Sequence, residues 1–226
     1  MNIAKSIVRI GLMSAVMSAC SSVEQERKIE FIYAALGASD VIGVGASPLT
    51  EGYVYLLNHD LQLRIPGTFL INVGVPGARI DTLNDEVLLL EHFSGRANLA
   101  TVWVGVNDLV DGVHPSQFQS DLRQLLRNLQ SSVSTIVVIA NLPDLSQLAA
   151  FRETPHPAVT AERVKAFNHA IEVEAPYVHA SVVDVFDEPS AEYFAFDGDG
   201  FHPTQAGHRR MATLFRKTIL ERLGFR

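Results

Sequence analysis

The sequence predicts an α/β fold in which a parallel sheet is covered by helices on both faces, and three observations carry that prediction. Short apolar runs rich in strand-forming residues alternate along the chain with segments whose apolar residues recur at helical spacing. The first three of these runs close on glycine-containing turns, at Gly37, Gly74 and Gly105. The chain has 226 residues, 47% of them apolar, and the apolar segments recur evenly, which suits one core rather than two.

The amino terminus is a different kind of sequence. Lys5 and Arg9 precede an apolar stretch over residues 10–19 that ends in small residues before Cys20. About ten apolar residues are too few for the roughly 20 that span a bilayer, so residues 1–19 read as a secretory signal outside the fold. Val16-Met17-Ser18-Ala19-Cys20 resembles a bacterial lipobox, with Met17 where that motif usually has Leu. The resemblance implies lipidation of Cys20, a tether over the polar residues 20–28, and an envelope location with the domain held at a membrane. A plain secreted product is the other reading. Cys20 is the only cysteine, so no internal disulfide accounts for it. Removing Lys5 and Arg9 with residues 1–19 takes the net charge from −7 to −9.

The domain, residues 29–226, begins with Phe31, Ile32 and Tyr33, a strand that stops at Gly37-Ala38-Ser39-Asp40. The carboxyl end of a parallel strand is where an open α/β sheet presents reactive groups, which points at Ser39. Taken alone, the stretch reads equally as a Gly-Ser turn. A Gly-rich loop over 41–49 leads to a helix with Thr50 as N-cap and Tyr53, Leu57 and Leu61 inward. A second strand spans 68–73. Asp81 or Thr82 caps the next helix, which carries Leu83, Val87 and Leu90. The third strand, 100–104, runs into Gly105-Val106-Asn107-Asp108. A helix over 116–130 turns Phe118, Leu122, Leu125, Leu126 and Leu129 to one side, and a fourth strand covers 134–140. Residues 145–159, with Pro155 and Pro157, form a long connection that is either a wall or lid of a cleft or idle surface. A helix over 160–174, a fifth strand over 178–186 and a helix over 204–223 complete the chain.

Acidic residues outnumber basic ones 25 to 18 and no Lys/Arg cluster stands out, which argues against a nucleic-acid partner. Parallel topology instead gathers four polar blocks on one rim: Ser39, the turn at Gly74 to Gly77, Asn107, and the late run Asp197-Gly198-Asp199-Gly200-Phe201-His202-Pro203. Nucleophilic catalysis by serine needs a base within hydrogen-bond reach and a group that orients the base, roles that His202 and Asp199 suit. Acyl transfer also needs donors at the developing oxyanion, and a Gly77 amide plus an Asn107 side chain fit that part. The late run is no calcium loop, because the twelfth position counted from Asp197 is His208 rather than Glu. Asn72 and Asp108 read as structural, and His114, His156, His169, His179 and His208 show no partner pattern.

With these blocks in this order, the chain resembles the SGNH hydrolases of the GDSL esterase and lipase superfamily. The resemblance covers about residues 31–210. It implies a three-layer αβα fold whose five-stranded parallel sheet has the flavodoxin-like order 2-1-3-4-5. It also implies a carboxyl-ester hydrolase with no metal or organic cofactor, Ser39 as nucleophile, His202 as base, Asp199 as orienter, and an oxyanion hole from Ser39, Gly77 and Asn107. One departure stands out: the family usually has Asp before the nucleophile, where this chain has Ala38 and carries its acid afterwards, at Asp40. The second functional reading is an exported lipoprotein that binds an envelope ligand in the same cleft without catalysis. Small-molecule or lipid esters are the expected substrates; neither acyl chain nor alcohol is legible, nor is the oligomeric state.

Overall fold

Tyr33, Ala34, Ala35 and Leu36 are fully buried because their strand lies inside the sheet, with a neighbour on each side. The computed structural model describes residues 29–94, 96–189 and 199–225. Its strands β1 (Phe31–Gly37), β2 (Thr68–Asn72), β3 (Ala97–Trp103), β4 (Ser134–Ala140) and β5 (Ser181–Val183) are all parallel, in the order 2-1-3-4-5. The helices are α1 (Ser39–Ile42), α2 (Tyr53–Arg64), α3 (Ile80–Ser94), α4 (Val106–Val110), α5 (Pro115–Asn128), α6 (Ala149–Glu153), α7 (Ala161–Glu174) and α8 (Gln205–Leu223).

The chain steps outward from β1 to β2, then reverses past β1 to β3. Right-handed crossovers therefore put α2 on one face and α3, α5 and α7 on the other. The packing agrees: α2 lies on α8, α3 on α5, and α5 on α7. Leu57, Leu61, Phe215 and Ile219 fill the first layer; Leu83, Val87, Leu122 and Leu125 fill the second. Phe118 of α5 stacks on Phe167 of α7, ring centroids 4.2 Å apart. The helix starts follow local chemistry. Thr160 and Thr204 accept from the amides of Arg163 and Gly207, and Pro115 occupies the first turn of α5, where its missing N–H costs nothing.

Several boundaries differ from the sequence reading. Thr50 lies in a 3-10 turn, Leu49–Glu51, and Gly52 is the N-cap of α2. Gly52 packs against the backbone of Gly43, and that close approach delays the helix. The expected caps Asp81 and Thr82 already lie inside α3, because Asp108 receives the Ile80 amide from outside the helix. β3 starts earlier, at Ala97, since Ala97 and Leu99 find partners on β4. β5 shrinks to three residues after a 3-10 turn, Ala175–Val178, closed by His179 at positive φ. The connection over 145–159 is not structureless: it holds a 3-10 turn, Leu145–Gln147, and α6.

Candidate functional site

β1 delivers Ser39 to the rim by ending in a residue that must be glycine. A Cβ at Gly37 would collide with the Trp103 carbonyl and the Val41 side chain. The backbone crosses there at φ 150°, and α1 starts with Ser39. The loop after α1 carries a second close approach. Gly45 lies against the Pro203 carbonyl, where any side chain would clash, and so brings the carboxy-terminal loop over the nucleophile.

Across that contact, Ser39 Oγ lies 2.8 Å from His202 Nε2, and His202 Nδ1 lies 2.5 Å from Asp199 Oδ2. The other oxygen of Asp199 accepts the amides of Phe201 and His202, at 2.9 and 3.0 Å. The three-residue spacing thus folds the carboxylate back onto the imidazole. Burial works to raise the Asp199 pKa, but the bonds from the His202 ring and the two amides outweigh it and hold the group below its ordinary value. The structure thus brings together the three residues that the sequence singled out, Ser39, His202 and Asp199.

The proposed oxyanion donors sit on two neighbouring turns that are stapled to each other. After β2, Val75 N donates to Gly37 O at 3.0 Å, and Gly77 turns at φ 77°, exposed to solvent. Asn107 opens α4 beyond β3, half-buried, and its Nδ2 donates to Ala78 O at 2.9 Å. One of the two amide hydrogens is thereby used and the other stays available. Asp108, next to it, is buried and accepts the Ile80 amide through both oxygens, at 3.2 and 3.3 Å. Burial, partly offset by that amide, pushes its pKa up to about 6. Asn72 ties the same turn to the nucleophile helix: its Nδ2 donates to Val41 O and its Oδ1 accepts from Gly74 N. Asn72 and Asp108, read as structural, are the staples of the site.

Two contributors were left unassigned by the sequence reading, His208 for want of a partner pattern and the segment 145–159 as either a wall or idle surface. His208 is fully buried; its Nδ1 accepts the Tyr53 amide at 3.2 Å and its Nε2 donates to Val44 O at 2.8 Å. An imidazole that accepts at one nitrogen and donates at the other is neutral, and burial accordingly lowers its pKa. His208 thereby locks α8 and α2 to the loop after Ser39. The helix α6 is the second. Its Ala150 amide donates to Gly200 O at 3.3 Å, and Phe151 meets Phe201 edge-on at 5.7 Å, which in turn meets the His202 ring at 5.1 Å. The segment 145–159 is a wall behind the histidine loop. Only the apolar residues inside it, Leu145, Leu148 and Phe151, hinted at a packed role.

Ala38 at the N-cap of α1 makes no side-chain cap, and Asp40 does not supply one. Among the described residues no three His, Cys, Asp or Glu side chains converge to hold a metal ion. An open groove of about 330 Å³ lies by β5 among Asn141, Lys165, His169 and Glu172, and none of the residues of the Ser39 site lines it. No described helix is long and apolar enough to cross a membrane. Cys20, the signal over 1–19, the tether over 20–28 and Asp197 lie outside the described residues.

A parallel αβα sheet of flavodoxin-like strand order, with a Ser, His and Asp side chain linked on its carboxyl rim, defines the class of fold. The particular family follows from the sequence: its profile for the GDSL-like Lipase/Acylhydrolase family matches residues 35–210, and the chain belongs to that family. Solved structures share the fold. The psychrotrophic esterase EstA from Pseudoalteromonas sp., in a structure inhibited by monoethylphosphonate, superposes with TM-score 0.67 at 18% identity, over 85% of this chain and 98% of that one. The lipase/acylhydrolase from Enterococcus faecalis gives 0.67 at 20%, over 85% and 96%. The acetyl xylan esterase AlAXEase gives 0.64 at 16%, over 84% and 100%. No curated protein sequence matches the chain significantly.

Proposed function

We propose that the protein hydrolyses carboxylic esters through an acyl-enzyme on Ser39. The observation that carries the reading is the unbroken line from Ser39 Oγ through the His202 ring to Asp199. In the first step Ser39 Oγ attacks the ester carbonyl carbon while its proton passes to His202 Nε2. Asp199 holds the opposite ring nitrogen, fixes the tautomer and stabilises the imidazolium. The carbonyl oxygen gains charge and is met by the amides of Ser39 and Gly77 and by the free N–H of Asn107 Nδ2. Collapse of the tetrahedral species expels the alcohol, which takes the proton from His202. Water then attacks the acyl carbon as its proton passes to His202. Collapse of the second tetrahedral species breaks the bond to Ser39 Oγ, which takes that proton back from His202 as the acid leaves.

Small-molecule or lipid esters are the substrate class. Export with a lipid anchor on Cys20 completes the proposal, supported by the charged, apolar and small-residue segments that precede that cysteine.

One experiment on cells expressing the full chain tests both parts. A fluorophosphonate probe should label the wild type in the membrane fraction and Cys20→Ser in the soluble fraction, and should leave Ser39→Ala and His202→Ala unlabelled. Ester turnover by those two variants should fall on the order of 10⁶-fold, and by Asp199→Asn about 10⁴-fold. Turnover that survives Ser39→Ala would move the site elsewhere. Wild-type label in the soluble fraction would remove the anchor.

A further inference from the structure

We propose that Asp40 is a second carboxylate for the His202 imidazole: its charge, together with that of Asp199, stabilises the imidazolium that forms as Ser39 attacks. This rests on the serine-hydrolase reading above. Asp40 acts through His202 and is a positioning residue, with no contact to substrate.

The placement is specific. Asp40 directly follows Ser39 in α1, and its side chain is half-buried. It shares a small cavity with Trp103, Val106, Leu148, Phe201 and Pro203, a space of about 10 Å³, enough for one water. Phe201 and Pro203 flank His202 in sequence, so the cavity lies between the Asp40 carboxylate and the loop that carries the imidazole. Its other walls are apolar, and a charge in such surroundings is little screened.

The electrostatics point the same way. Burial is the largest influence on Asp40 and pushes its pKa up to about 6; the field of His202 lowers it and that of Asp199 raises it. Coupling of this kind is mutual: if the imidazolium favours ionised Asp40, ionised Asp40 favours the imidazolium by the same free energy. The other groups near Asp40 do not compete for it. Tyr53 on α2 faces it, and burial, followed by the fields of Tyr33 on β1 and of Asp40, raises the Tyr53 pKa well above its ordinary value. Tyr33, bonded to Thr101, is raised by burial as well. His208 on α8 is held neutral by its burial. Of these groups only His202 becomes a cation during the reaction. Above about pH 6 Asp40 is ionised and in place to meet it.

The test is the pH profile of Asp40→Asn acting on p-nitrophenyl acetate. The variant should lose about tenfold in kcat with KM unchanged, and the midpoint of its acid limb should move to lower pH by roughly half to one unit, because an imidazolium without a nearby anion forms less readily. Asp40→Glu keeps the charge and should keep the wild-type limb. In an Asp199→Asn background the loss on removing Asp40 should exceed tenfold, since the remaining support is then gone. Asparagine is isosteric and spares the fold a buried charge, so the melting temperature at pH 8 should not fall. Unchanged acid limbs in both backgrounds would overturn the proposal. So would a raised KM with an unmoved limb, which would place Asp40 against the substrate. Turnover by Ser39→Ala would instead sink the underlying reading of the site.

Discussion

Asn168 and Asn107 serve the ends of adjacent strands, and the fold uses their identical side chains in opposite ways. Asn168, on α7, turns both ends of its amide to the chain leaving β4: Oδ1 accepts from Leu142 N and Nδ2 donates to Leu142 O, both at 2.8 Å. It is 5% exposed and mimics a missing strand partner. Asn107, beyond β3, gives one N–H to Ala78 O and stays half-buried with the rest of its amide unspent. The lesson is where satisfaction stops. Asn168 pairs both its oxygen and its nitrogen with the framework, while Asn107 on the Ser39 side keeps its oxygen and one N–H in hand, which a reaction can use.

The largest expected effect follows from the unspent donor. Asn107→Ala should lower kcat by ~10²–10³, or roughly 2.7–4 kcal/mol, and leave KM nearly unchanged, because such a donor tightens only as the oxyanion forms. Steady-state kinetics on the folded variant decide it, with circular dichroism to show that the bond to Ala78 O was not holding the turn together. A kcat equal to wild type, or a change in KM alone, would put Asn107 beside Asn168 as framework.

Asn168→Ala should show the reverse profile. It strands a buried N–H and a buried C=O on Leu142, at a cost of about 2–3 kcal/mol, seen as a melting temperature lower by roughly 5–10 °C. Its kcat, measured well below the melting transition, should stay close to wild type. A large kcat loss at an unchanged melting temperature would mean that the β4 end belongs to the site.

This contrast also explains what the sequence could and could not show. The five parallel strands and their covering helices were legible because they depend on local pattern, apolar period and strand-end glycines. The linked Ser39, Asp199 and His202 were singled out by an Asp three residues before a His; the strand order came only with the family resemblance. Asn72, Asp108 and His208 were not legible, because their roles are bonds across 28 to 155 residues of sequence, visible only once the turns are side by side. The cap of α3 failed for the same reason. A reader of local sequence looks for it at Asp81, yet the acceptor comes from Asp108, on the far side of β3. The wall at 145–159 was ambiguous because its helix is five residues long, too short for periodicity to register.

Three framework residues, Tyr53, Asn58 and Glu86, keep a buried polar atom without a partner among the described residues, and Glu86 gives the smallest prediction. Glu86, on α3, is 7% exposed, and neither carboxylate oxygen has a hydrogen bond among the described residues. Burial, helped by the charge of Asp85, pushes its pKa from the ordinary 4.5 up to about 7. The sign is that of a raised carboxylate: the folded state holds a proton that the unfolded chain gives up, so this stabilisation is full below about pH 4.5 and is lost as pH rises through about 7. Above that range the fold carries an ionised, unpartnered group. Glu86→Gln should therefore raise stability at pH 8, on the order of 1–2 kcal/mol, and do little at pH 5, where the wild-type side chain is already protonated. Thermal melts of both proteins at the two pH values measure it, with kcat expected to be unchanged. A gain of equal size at both would trace to packing rather than charge. A loss at pH 8 would mean that the Glu86 carboxylate is held by a partner in solution, and Glu86 would join the paired framework that Asn168 represents.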